Sequence, residues 1–207
     1  MSPLTSAARR WLLELARGAL EAAARGGAFR APRPPAGLSA ADQEELRRPR
    51  ATFVSLHKQG RLRGCVGHVA FDTPLAQAVG EMARAAALQD DRFPPVSRDE
   101  VPEIEVEISL LSPFFPIHPE QIIAGTHGLL VRRGLYRGLL LPQVATTYNW
   151  DAERFLREAC RKAGLPPDAW QHGASLEAFT AEVIAETELA GLRQGPGRRF
   201  DGPSNFT

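Results

Sequence analysis

ATFVSLHKQGRLRGCVGHV, residues 51–69, reads as a β-hairpin. Ala51 to Lys58 is strand-like, Gln59-Gly60 can turn the chain, and Leu62 to Val69 can pair back on the first arm. The second arm has an unusual composition, because Gly64 and Gly67 flank Cys65 and Arg63 lies two residues before it. Glycine inside a strand weakens it and marks a bulge or a close approach of another backbone or ligand. In an extended segment Arg63, Cys65 and Gly67 share one face, while Leu62, Gly64, Val66 and His68 share the other. An arginine on the thiol's own face favours the thiolate, the form that acts as nucleophile or metal ligand.

Outward from the hairpin, helical and strand periods alternate. Ala8, Trp11, Leu12, Leu15, Ala19 and Ala22 recur at spacings of three and four, predicting a packing helix from Pro3 to about Ala24. A glycine- and proline-rich connection follows, with a short helical piece over Ser39 to Arg47. Thr73-Pro74 predicts an N-cap and first helical position for a helix to about Leu88. Ser97 and Glu100 have capping-box spacing.

Ile104, Val106, Ile108 and Leu110 alternate with Glu105, Glu107 and Ser109, the signature of a sheet with one buried and one polar face. Leu129 to Arg133 and Tyr136 to Leu141 form a second hairpin candidate, stopped by Pro142. Asp151 is the expected N-cap of a helix through Cys160 that ends at Gly164. Ser175 to Glu186 is expected to be one last strand, followed from Gly191 by a loose tail. About six short strands and three substantial helices with hairpin-length links imply an α+β fold with a mainly antiparallel sheet and flanking helices.

At 207 residues, 43% apolar and 24% charged, the chain has the composition of a globular protein with a sizeable core. A formal charge of +1 provides no long-range pull toward nucleic acid or anionic membrane, and neither is expected as a partner. Arg132, Arg133 and Arg137 are clustered but have few aromatic neighbours. No apolar run is long enough to span a bilayer, and the N-terminus lacks the order of a secretory signal. The two cysteines, Cys65 and Cys160, are therefore expected to be reduced in a cytoplasmic protein. The five histidines show no zinc-site spacing, and no cofactor or metal is expected.

With these residues laid out, the sequence resembles the AMMECR domain family, whose members include the AmmeMemoRadiSam system protein A. The resemblance runs from about Leu4 to Glu188. It rests on Leu62-Arg63-Gly64-Cys65-Val66-Gly67, Asp91-Arg92-Phe93-Pro94-Pro95, Glu107-Ile108-Ser109-Leu110-Leu111, His127-Gly128-Leu129, Leu140-Leu141-Pro142-Gln143-Val144-Ala145 and Cys160-Arg161-Lys162-Ala163-Gly164-Leu165. It implies one AMMECR-type domain over residues 1–190, made of a larger and a smaller subdomain with a groove between them near the cysteine, and a tail over 191–207. It also implies accessory work beside a Memo-like protein and a radical-SAM protein. The chain has no CxxxCxxC cluster and does not itself carry the radical-SAM iron–sulfur centre.

Two functions compete. In the first, a groove presents Arg63, Cys65, Gly64, Gly67, Asp91, Arg92, Glu107 and Gln143 to a ligand or partner without turnover. In the second, Cys65 attacks a small substrate, Arg63 holds the thiolate or an anionic group, and His127 or a glutamate moves the proton. Each residue also has a structural reading: Cys65 as a small buried hydrophobe, Arg63 in an ion pair with Glu105 or Glu107, Glu105 and Glu107 as a solvated face, Pro142-Gln143 as a strand-to-helix corner. Cys160, beside Phe155 and Leu156, is expected in the core.

Overall fold

The computed structural model describes residues 3–187. The expected tail at 191–207 lies outside them. The fold is α+β, built from two four-stranded sheets. Two compact units divide the described residues, one comprising 3–110 and 183–187, the other Leu111–Glu182.

In the first unit, α1 (Ser6–Ala24) starts later than its apolar period suggests, because Thr5 caps it by accepting the Ala8 N–H at 3.3 Å. The Thr5 hydroxyl donates in turn to Asp42 at 2.8 Å, tying α1 to the first turn of α2 (Ala40–Arg47), which Ser39 caps. The hairpin arms are β1 (Thr52–Lys58) and β2 (Arg61–His68). Helix α3 (Leu75–Leu88) and strand β3 (Ile104–Leu111) follow. Thr73 does not cap α3: its hydroxyl donates to Asp72, and Pro74 takes the cap position with extended backbone. The strand order is β2-β1-β3-β8, where β8 is Ala181–Ala185.

One face of this sheet carries Val54, Leu56, Val106, Ile108 and Leu110, each at most 1% exposed, and packs into a core with α1 and α3. The opposite face carries Ser55, Cys65 and Glu107 in one row, since Ser55 is the register partner of both others. Near the turn the register passes from Leu56 opposite Gly64 to His57 opposite Leu62, so Arg63 is an extra residue in a β-bulge. Helix α3 crosses immediately beyond it. A Cβ on Gly64 would lie 2.3 Å from the Ala86 carbonyl oxygen, so only glycine lets the helix backbone sit directly on the strand.

The second unit holds β4 (Phe115–Pro116), β5 (Gly128–Arg133), β6 (Tyr136–Leu140), α4 (Pro142–Thr147), α5 (Ala152–Lys162) and β7 (Ser175–Phe179), with strand order β4-β7-β5-β6. Asp151 caps α5 as expected, accepting the Arg154 N–H at 2.7 Å. Its apolar side, with Phe155, Leu156 and Cys160, joins Leu129 and Val131 in a second core. The stretch predicted as one last strand is two. β7 belongs to this sheet and β8 to the first, with the break at Thr180, whose N–H donates to Ser112 Oγ and whose carbonyl accepts the Ser112 N–H, both at 2.9 Å. The apolar alternation across Phe179, Ala181 and Val183 masks the break, because both halves are extended.

Arg63 fastens the loop after α3 to the hairpin. Its Nε and Nη2 donate to the two oxygens of Glu100, each at 3.0 Å, and Glu100 also accepts the Ser97 N–H at 3.1 Å at the start of a 3-10 helix over Arg98–Glu103. Lys58 Nζ lies 3.6 Å from the same carboxylate. Hydrogen bonding from Arg63, chiefly, and from Ser97 lowers the Glu100 carboxyl from 4.5 to about 2.

Two outcomes follow from this packing. Gly64→Ala should lower stability by about 2–3 kcal/mol in urea denaturation, as overpacking against unyielding backbone does, whereas Gly37→Ala, where an added Cβ meets nothing within 4 Å, should be near neutral. The Glu100 contribution is complete above the unperturbed value of 4.5 and is lost as pH falls toward about 2. Glu100→Gln should therefore cost about 1–2 kcal/mol at neutral pH, allowing for screening of a partly exposed pair. It should also remove the corresponding acid-range slope in urea midpoints measured between those two pH values.

Candidate ligand site at Cys65

Cys65 sits on the edge strand β2 and is half-buried. Its N–H does not turn inward to β1 but donates to Asp90 Oδ2 at 2.7 Å. Ser55 and Cys65 are therefore a non-hydrogen-bonded antiparallel pair, the kind with the closer side chains. The Ser55 hydroxyl donates to Cys65 Sγ at 3.3 Å. Burial pushes the Cys65 thiol above its ordinary 9.0; the Ser55 hydrogen bond and the Arg92 charge work against that rise, while the charges of Asp90 and Glu107 add to it. The expectation of a favoured thiolate is thus reversed. Arg63 does not supply the nearby positive charge, since its guanidinium is held by Glu100.

Asp90 organises the surroundings. It is buried and accepts, besides the Cys65 N–H, the Arg92 backbone N–H at 3.2 Å, Arg92 Nε at 2.9 Å and Arg92 Nη2 at 2.7 Å. Burial alone would raise its carboxyl, but the Arg92 fork and the two backbone donors outweigh that and hold it below the usual range. Phe93 lies under two guanidinium groups, with Arg92 Cζ 5.5 Å and Arg63 Cζ 5.9 Å from its ring centroid. Glycine is favoured at Gly67, opposite Phe53, because a Cβ there would lie 2.2 Å from Phe53 Cγ and clash with the ring.

The first unit thus brings together Cys65, Gly64, Gly67, Arg92 and Glu107 from the expected set. Asp91 is exposed beside Asp90. His127 and Gln143 belong to the second unit. His127 Nδ1 accepts the Ile123 N–H at 3.2 Å, and its ring meets Phe115 edge-on at 5.9 Å. Gln143 is the second residue of α4, as the strand-to-helix corner reading has it. Cys160 is fully buried in α5, and both cysteines are free.

Sequence reasoning missed Ser55 and Asp90. Asp90 carried a signal, since an aspartate two residues before an arginine in a tight turn can close an intraloop fork. Ser55 carried none: counted back from Gln59-Gly60 without a bulge, the residue opposite Cys65 is Val54. Among the described residues, no three His, Cys, Asp or Glu side chains converge as metal ligands would, and no helix is long and apolar enough to cross a membrane.

Comparison with known proteins agrees with this architecture. The fold is similar to that of the crystal structure of uncharacterized protein PH0010 from Pyrococcus horikoshii, with a TM-score of 0.78 and 36% identity over 87% of this chain and 92% of that one. A protein of Methanothermobacter thermautotrophicus is 44% identical over 89% of this chain and 97% of its own length. Protein Mbar_A1807 of Methanosarcina barkeri is 45% identical over 69% of this chain and 73% of its own. The AMMECR1 family matches residues 13–184, so that the Cys65 segment and both sheets but for the last residue of β8 fall within the matched region, and the chain belongs to the AMMECR1 family.

Proposed function

We propose that this chain is a cytoplasmic accessory component of the AmmeMemoRadiSam type, which binds a ligand or partner at the Cys65–Arg92 surface and acts beside a Memo-like protein and a radical-SAM protein. The observation that carries this reading is the set of groups packed around the thiol. A nucleophilic cysteine needs its thiolate stabilised, whereas burial pushes the Cys65 thiol above its ordinary value even against the Ser55 hydrogen bond and the Arg92 charge. The positive charge near it, Arg92, is balanced by the Asp90 carboxylate, and Arg63 is turned to Glu100. Such an arrangement supports recognition, with rigid groups in a fixed pattern, over covalent turnover.

The rate of Cys65 alkylation by iodoacetamide as a function of pH tests this directly. The midpoint should lie above the ordinary thiol value of 9.0; a midpoint well below it would favour a cysteine-dependent enzyme instead. Mixing the chain with purified Memo-like and radical-SAM proteins should produce a complex by size-exclusion chromatography that Arg92→Gln or Cys65→Ala weakens. Full retention of the complex by both variants would remove this surface from the interaction.

A further inference from the structure

Arg92 has more donors than Asp90 can take. The fork to Asp90 uses Nε and one hydrogen of Nη2, leaving the two Nη1 hydrogens and the second Nη2 hydrogen without a partner among the described residues. That remaining edge is itself a fork, with the geometry that meets a carboxylate or phosphate through two parallel hydrogen bonds. Asp90 is 4% exposed at its side chain and Arg92 41%, so the held edge faces inward and solvent reaches the guanidinium. The Phe93 ring, its centroid 5.5 Å from Arg92 Cζ, and Asp90 along one edge limit how the guanidinium can turn. Arg92 Nη2 and the Cys65 N–H both donate to Asp90 Oδ2, each at 2.7 Å, which sets the guanidinium beside the cysteine.

We infer that the free Nη1–Nη2 edge of Arg92 is a recognition site for an oxyanion, a carboxylate or phosphate group, bound beside the Cys65 thiol. The inference rests on the binding reading above and specifies the chemistry of what is bound. Because Asp90 cancels most of the arginine's net charge, selection comes from short-range directional hydrogen bonds and not from long-range attraction. Planar and tetrahedral oxyanions are therefore preferred to chloride. The neutral thiol adds no repulsion to an arriving anion, which a thiolate would.

The full-length chain, labelled with 15N, is titrated with sodium acetate and separately with inorganic phosphate, at constant ionic strength balanced with sodium chloride. Saturable shifts are expected in the Arg92 Nε–H and Cys65 amide resonances, together with slower alkylation of Cys65 at saturation. Arg92→Lys keeps the charge beside Asp90 but lacks the fork, and should bind either probe at least tenfold more weakly, read from the Cys65 amide. Arg92→Gln should do the same, while Arg98→Gln, an exposed arginine elsewhere in the unit, should match the unmodified chain. Equal affinity in Arg92→Lys and the unmodified chain, an equal loss in Arg98→Gln, or no saturable shift with either probe would overturn the inference.

The two sources of such a group separate in the same material. If saturating acetate or phosphate displaces the Memo-like protein, the oxyanion belongs to that partner's surface; if the complex persists with the probe bound, it belongs to a small molecule. Probe binding with no complex under any condition defeats the accessory reading and leaves the oxyanion site standing. A complex insensitive to Arg92→Lys with no probe binding does the reverse.

Discussion

The hydrogen bond from the Cys65 N–H to the Asp90 carboxylate is the constraint on which the rest of the site depends. An edge strand leaves alternate backbone donors facing outward, and each must find water, side chain or another strand. Here a buried carboxylate takes the donor, which both closes the strand edge and brings the start of the loop after α3 against the hairpin. A carboxylate is only tolerable at that depth if its remaining lone pairs are filled. Arg92 fills them from two residues away, and the position of its guanidinium is set as a consequence.

The charge economy of the first unit follows the same logic. Arg63 meets Glu100 and Arg92 meets Asp90, each through a bidentate pair, with Phe93 against both guanidiniums. Arg17 joins α1 to the first sheet by pairing with Glu186 and donating to the carbonyls of Val101 and Ile104, while Glu186 accepts the Val106 N–H at 2.8 Å. Arginine is suited to such positions, since one planar group satisfies several acceptors at once. What remains near the sulfur is polar, ordered and close to neutral, which is why the site reads as a surface for recognition.

Most of the elements were legible in the chain's own pattern. The alternation of Ile104 to Leu110, the spacing along Trp11 to Ala19 and the Asp151 cap are local features, decided by residues within a turn or two of one another, and each element formed where they pointed. Two departures show where the local pattern fell short. Thr73 offered a capping hydroxyl, but its side chain turns to Asp72 and Pro74 takes the cap position. Ser175 to Glu186 kept an unbroken alternation, although Ser112, far away in sequence, takes the Thr180 backbone and ends the first strand there.

By itself, then, the sequence determined the α+β composition, the hairpin carrying Cys65, the need for glycine on either side of it and membership of a family through motifs in a fixed order. Only the tertiary structure decided what faces the thiol. One extra residue at Arg63 slips the register so that Ser55 replaces Val54 opposite Cys65, and helix α3, lying on Gly64, brings Asp90 and Arg92 to the strand edge. A side-chain period shows which face a residue takes along one strand, but a single inserted residue changes its partner across the ladder. The charge around a sulfur depends on groups that sequence places 25 residues away and packing places within one hydrogen bond.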